Sequence, residues 1–178
     1  PTLKERGIYF EFKDRKSYKV TLFRTILNYI RWQKGDELSL SEVKDIFEYT
    51  NTKEELTEER MYNLEEFGYD KNIPWYDEFT SDYEECLYIR EMLSNGEELR
   101  KNPRVKLSTI HSAKGGEADN VLLILDNTKT IRDALDKSSD KQDEEHRVWY
   151  VGVTRTKQNL YIMAAKKEDQ GYDIESLG

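Results

Sequence analysis

Between Tyr18 and Trp32 the apolar residues Leu22, Phe23, Ile26, Leu27 and Ile30 recur at helical spacing, which lays them along one face of a helix that Gly35 ends. Three hydroxyl residues then stand three positions ahead of a glutamate: Ser39 before Glu42, Thr52 before Glu55 and Ser81 before Glu84. In that arrangement the hydroxyl accepts from a free N–H of the first turn while the carboxylate reaches back, so each pair predicts a helix start. The third opens YEECLYIREML, which Asn95-Gly96 interrupts. The span from about Ser17 to Asn102 therefore reads as mostly helical, in four or five pieces.

Strand-like runs flank that span. GIYFEF, from Gly7 to Phe12, is β-branched and aromatic and precedes the basic turn KDRKS. Beyond Pro103 come VKLSTI (Val105 to Ile110) and NVLLILD (Asn120 to Asp126). The second is apolar without alternation, as expected of a strand covered on both faces. A polar stretch holding Ser138 and Ser139, a helical EEHRVWYVGVTRT and a last strand, NLYIMAA, complete the chain. Strands alternating with helices predict an α/β fold with a parallel sheet, carrying a helical insertion.

Composition sharpens this picture in two ways. Only 37% of the 178 residues are hydrophobic against 36% charged, so the core must be compact under a heavily ionised surface. Cys86 is the single cysteine, which excludes an internal disulfide framework. The net charge of −8 is local: residues 51–85 hold 12 acidic and 3 basic side chains, a net of −9, whereas residues 1–34 hold 9 Lys/Arg against 3 Asp/Glu. The acidic segment is expected to face away from phosphates or to meet a basic partner, and the basic segment can lie near them. No apolar run approaches a membrane span. The opening at Pro1, directly in a charged strand-like passage, suggests a piece of a longer protein.

The candidate chemistry centres on STIHSAKGGEADNVLLILD, Ser108 to Asp126. Lys114 precedes Gly115 and Gly116, the reverse of a phosphate loop, in which glycine and spacer residues wrap the phosphates before the lysine arrives. There is no Walker A sequence, no Asp-Glu Walker B pair, no Cys/His set at zinc spacing and no signalled Ser-His-Asp set. His146 reads as an exposed helix residue rather than a metal ligand, and Trp149, Tyr150 and Val151 as core.

Two passages resemble one family. VKLSTIHSAKGGEADNVLLI, Val105 to Ile124, resembles motif V of the UvrD/Rep/PcrA-like superfamily 1 helicases, a strand, Thr-x-His-x-x-Lys-Gly-Leu-Glu and a second strand. EEHRVWYVGVTRTKQNLYI, Glu144 to Ile162, resembles their motif VI, and LKERGIYFEF is similar to the segment before their inserted 2B subdomain. The chain departs from the pattern at Gly116, where leucine is usual, at Ala118 in place of phenylalanine and at His146 in place of the first arginine of a pair. The acidic-Gly-x-Phe-Pro sequence that commonly follows motif V is absent after Leu125.

The resemblance implies a RecA-like domain 2A lacking its own phosphate loop, assembled from residues 1–34 and 103–178, with residues 35–102 as a reduced helical insertion in the place of 2B. It implies the C-terminal part of an ATP-dependent DNA helicase or translocase moving along single-stranded DNA in a bacterial cytoplasm, as a bacterial protein or a phage protein in its host. ATP and Mg²⁺ would be held mainly by a partner domain, 1A, and the fragment alone would be inactive. By the same resemblance Arg155 is the catalytic arginine reaching a γ-phosphate, a task suited to a planar, permanently charged fork. Gly116, Glu117 and Arg147 would serve the nucleotide, Glu117 by accepting from a ribose hydroxyl. Thr109, His111 and Lys114 would meet DNA, by hydroxyl to phosphate, imidazole to base and ammonium to phosphate. The competing reading is a noncatalytic DNA-binding or protein-docking module that kept the fold.

Overall fold

The computed structural model describes residues 2–135, 137–167 and 170–172. The chain forms two compact units, Pro1–Leu107 and Ser108–Gly178.

In the first unit, β1 (Phe10–Phe12) turns through Lys13 and Asp14 into β2 (Arg15–Lys16) and leads to α1 (Val20–Gln33). β3 (Leu38–Ser39) and α2 (Leu40–Phe47) follow, then β4 (Met61–Tyr62), a 3₁₀ turn at Leu64–Phe67, the short α3 (Trp75–Glu78), α4 (Tyr83–Ser94) and β5 (Val105–Leu107). β1 lies at the centre of a small sheet, antiparallel to β2 and parallel to β5, while β3 pairs with β4.

The periodic face of α1 is the heart of this unit: Leu22, Phe23, Ile26, Tyr29 and Trp32 are buried among Leu38, Val43, Ile46, Phe79, Ile89 and Met92. Aromatic side chains make a core possible on a low apolar fraction, because each buries a large area and its polar tip can be satisfied locally. Trp32 Nε1 donates to the Tyr62 carbonyl at 2.9 Å, Tyr18 Oη to Leu99 at 2.6 Å and Tyr88 Oη to Ile8 at 2.7 Å. The acidic segment 51–85 is part of this core, to which it contributes Tyr62, Leu64, Trp75 and Phe79.

The three expected caps fare differently. Ser39 and Glu42 form their capping box at the start of α2. Thr52 and Glu55 start no helix; Thr52 Oγ1 instead bonds Tyr69 Oη at 2.5 Å, a tertiary partner that outcompetes the local one. Asp82, in left-handed backbone, displaces Ser81 as the residue before α4, and Asn63 with Glu66 forms a box that the hydroxyl pattern did not signal.

The second unit holds β6 (Ala118–Ile124), α5 (Lys129–Leu135), α6 (Ser139–Val153) and β7 (Thr156–Met163). β6 and β7 run parallel, with Leu122 opposite Tyr161 and Ile124 opposite Met163. The core beneath is Leu123, Leu125, Trp149 and Tyr172, with the Trp149 and Tyr172 rings stacked at 4.9 Å. Here three expectations are corrected. β6 is covered on one face only: Leu122 and Ile124 remain 56% and 52% exposed, because the two-stranded sheet packs its Leu123 side against α6 and nothing described covers the other. Tyr150 is exposed, as its place on α6 points away from the strands that receive Trp149. His146 is half-buried, its ring edge-on to Tyr172 at 5.7 Å. The chain is thus α/β, with its described strands in three small sheets of mixed direction.

Candidate functional site

The backbone after Ser108 coils before it re-enters a strand. Ala113 N donates to the Thr109 and Ile110 carbonyls, Lys114 N to His111 and Gly116 N to Ala113, at 3.0 to 3.3 Å. Thr109 anchors the coil, its Oγ1 accepting from Ser112 N at 3.2 Å and lying 2.9 Å from Ser112 Oγ. The coil closes at Gly115, whose φ of +84° is a left-handed value that costs glycine little and other residues more. No heavy atom stands within 4 Å of where a Gly115 Cβ would lie, so the demand for glycine there is conformational. This exit from the coil lets Glu117 and Ala118 run straight into β6.

α6 delivers Arg155 to the same turn. The arginine follows the last helical turn, and its Nε donates to the Val151 carbonyl at 3.0 Å, satisfying one of the acceptors that a helix end leaves open. Its Nη1 donates to the Gly116 carbonyl at 3.2 Å and its Nη2 to Thr154 Oγ1 at 3.0 Å. Ala118 N donates back to the Arg155 carbonyl at 3.0 Å, and Lys157 Nζ lies 3.2 Å from Glu117 Oε2. The structure therefore joins Gly116, Glu117 and Arg155 at one place.

The remaining candidates fall on the coil that precedes the turn and on α6. His111 and Arg147 line a cavity of about 480 Å³ with Ile131, Leu135 and Val148 on its apolar side and Glu144 and Glu145 beside them. Lys141 lies 2.6 Å from Glu144 and holds its carboxyl below the usual carboxylate range. Arg147 thus shares a surface with His111, not with Arg155. Thr109 and Lys114 are both exposed. Among the described residues no group of three or more His, Cys, Asp or Glu could hold a metal ion, and no helix is long and apolar enough to cross a membrane.

Residues 15–167 match the model of the UvrD-like helicase C-terminal domain. The chain belongs to that family. Its UvrD-like sequence is 34% identical over 88 residues to the ATP-dependent DNA helicase Rep of Buchnera aphidicola subsp. Acyrthosiphon pisum, covering 46% of this chain and 13% of that protein. It is 30% identical over 82 residues to Rep of Escherichia coli, covering 46% and 12%, and 38% identical over 73 residues to a probable DNA helicase II homolog of Rickettsia conorii, covering 39% and 11%. The matched region therefore spans only about an eighth of these relatives. No solved structure matches the chain.

Two further residues shape this turn without having stood among the candidates that the sequence offers. A Cβ on Gly152 would stand 3.1 Å from Leu123 Cδ1 and 3.2 Å from Ile110 Cδ1, so α6 reaches β6 and the coil only because that position is bare. A glycine inside the apolar helical run VWYVGV is the available signal for such close packing. Lys157, the partner of Glu117, carries no signal of its own in sequence.

Proposed function

We propose that this chain is the ATP-facing, DNA-contacting half of a superfamily 1 DNA helicase or translocase. Residues 1–34 and 103–178 constitute its RecA-like domain 2A, and residues 35–102 a reduced insertion in the place of 2B. The observation that carries the reading is the junction of Arg155 with Gly116 and Glu117, which puts a guanidinium and a carboxylate on one turn. That pairing fits a nucleotide presented by another domain: the fork meets charge developing on the phosphoryl oxygens, and the carboxylate accepts from the ribose. Arg155 would exchange its Gly116 contact for the phosphate as the cleft closes.

The nucleotide, when bound, supplies the bond to be broken and its Mg²⁺ the counter-charge; the residues holding both belong to domain 1A. This chain contributes orientation and the transition-state cation, and alone is inactive. Thr109, His111 and Lys114 form the neighbouring DNA contact, on the exposed coil that precedes the same turn. Arg147, on α6 and on the surface it shares with His111, would serve the nucleotide from that side rather than beside Arg155, and the acidic segment stays off the strand, facing solvent or a basic partner. The related helicases named above support this role for the whole protein.

The deciding experiment is single-turnover ATP hydrolysis and nucleotide binding measured on the same folded Arg155→Ala variant of the full-length protein. Collapse of hydrolysis with near-normal binding is expected. An unchanged rate would leave the noncatalytic docking module as the better account.

A further inference from the structure

The three-stranded sheet of the first unit has two unlike faces. The register sets Phe12 opposite both Arg15 and Leu107, and Phe10 opposite Val105, so these five side chains share one face. Glu11, Lys16 and Lys106 share the other. On that second face Lys106 Nζ lies 2.9 Å from Glu11 Oε1 and 3.1 Å from Asp14 Oδ1, so a single ammonium engages both carboxylates of the strand and its turn. The first face is left with aromatic and aliphatic side chains and a guanidinium, and no carboxylate among its paired positions. Phe12 is 47% exposed and Leu107 38%.

The turn beside this face is held in an uncommon conformation. Lys13 and Asp14 have φ of +50° and +59°, left-handed values that a two-residue hairpin normally gives to Asn-Gly. Non-glycine residues there carry strain, and the conformation sets Lys13 Nζ over the Phe12 ring, 5.3 Å from its centroid. Parallel pairing of β1 with β5 also brings the stretch 100–107, with Arg100, Lys101, Arg104 and Lys106 and no acidic residue, alongside the hairpin. Arg104 and Lys101 are engaged by Glu97 and Glu98, whereas Lys13 and Arg15 have no ion pair among the described residues. In a chain of net charge −8 this is a concentration of available cations.

An exposed aromatic on a sheet face, flanked by unpaired cations and free of carboxylates, has the chemistry that engages unpaired nucleotides: a ring for a base, a fork and an ammonium for the phosphates. We propose that the Phe10–Phe12–Leu107 face with Lys13 and Arg15 is a second contact for single-stranded nucleic acid. Phe12 is the stacking platform and Arg15 the phosphate ligand. This contact extends the DNA role proposed above; from the motif V passage it takes only residues of the opening strand, Val105 and Leu107, and it uses none of the candidate site residues.

The test is the affinity of the full-length protein for a fluorescent oligothymidylate, by anisotropy across a salt series, together with its melting temperature. Phe12→Ala is expected to weaken binding on the order of tenfold, the scale of one lost base-aromatic stack. Arg15→Ala should weaken it and reduce the slope of log affinity against log salt by about 0.7, one phosphate contact on a single strand. Melting should be unchanged in both. Unaltered affinity and slope in both variants would overturn the proposal. A lowered melting temperature for Phe12→Ala with unaltered affinity would also overturn it, showing a face that packs against protein. Thr109→Ala and His111→Ala, assayed alongside, separate the two readings: loss of binding there with none at Phe12 and Arg15 removes this face and leaves the motif V contact standing.

Discussion

The two units place their apolar and polar resources differently. Among the described residues of both units, the first buries twenty hydrophobic side chains around α1, including Trp32, Tyr29 and Phe79, and satisfies several of its aromatic polar tips on backbone carbonyls. The described part of the second buries four, Leu123, Leu125, Trp149 and Tyr172, and leaves Leu122, Ile124, Tyr161 and Met163 exposed on its sheet. Yet the second carries the motif VI passage and all of the motif V passage beyond its opening strand. Apolar burial and candidate chemistry are thus largely separated: one unit is built as a small hydrophobic domain, and the other spends its short helix end, coil and strand starts on groups that point outward. Because buried apolar area is the main stabilising term, the units should respond unequally to mutation.

The largest expected effect breaks the contrast from the functional side. In the full-length protein Arg155→Ala should lower ATP turnover by on the order of 10³–10⁵ while nucleotide affinity falls modestly, and Arg155→Lys should not restore it, since an ammonium lacks the fork. Denaturant unfolding of the same variant should show little change, as the side chain's three bonds are to exposed or partly exposed groups.

From the stability side, Trp32→Ala should cost about 3–5 kcal/mol in chemical denaturation, the range for truncating a buried large aromatic. Turnover of the molecules that remain folded should be retained. Were Trp32→Ala to abolish catalysis without lowering stability, the separation of burial from chemistry would fail. Next in size, Thr109→Ala and His111→Ala should weaken single-strand binding, His111→Ala by about 1–3 kcal/mol for one lost stack, with nucleotide affinity retained. Strand affinity titrations and DNA-stimulated ATPase measurements check both; no change in either would detach the coil from DNA.

Cys86 reports on the packing of the first unit. Burial pushes its thiol up to about 11, with Asp82 and Glu85 adding to the shift, so almost no thiolate exists at pH 8. Native protein should resist iodoacetamide at that pH and react once denatured, whereas rapid native alkylation would show the helical core to open easily. The smallest effect concerns the acidic segment. Changing the exposed Glu54, Glu55, Glu58 and Glu59 to glutamine should leave strand affinity within about twofold, because these charges are proposed to face away from DNA. A marked loss of affinity would place them on the track.

Local signals in the sequence were sufficient wherever one element decides the outcome. The spacing of Leu22, Phe23 and Ile26 fixes the buried face of α1, the Ser39 and Glu42 pair caps α2, and motifs V and VI identify the family. Each depends on residues within a few turns or strands of one another, so period and spacing reveal it. Partner choice across the chain decided the rest. Thr52 abandoned its helix start for Tyr69, β6 kept an exposed apolar face because a run of apolar residues cannot announce how many layers will cover it, and Tyr150 turned outward beside a buried Trp149. Arg155, Gly116 and Glu117 were each legible as motif residues, but their meeting depends on α6 resting on Leu123 and Ile110 through the bare Gly152. That distance is set by side-chain volume between two elements, a quantity no stretch of sequence contains by itself.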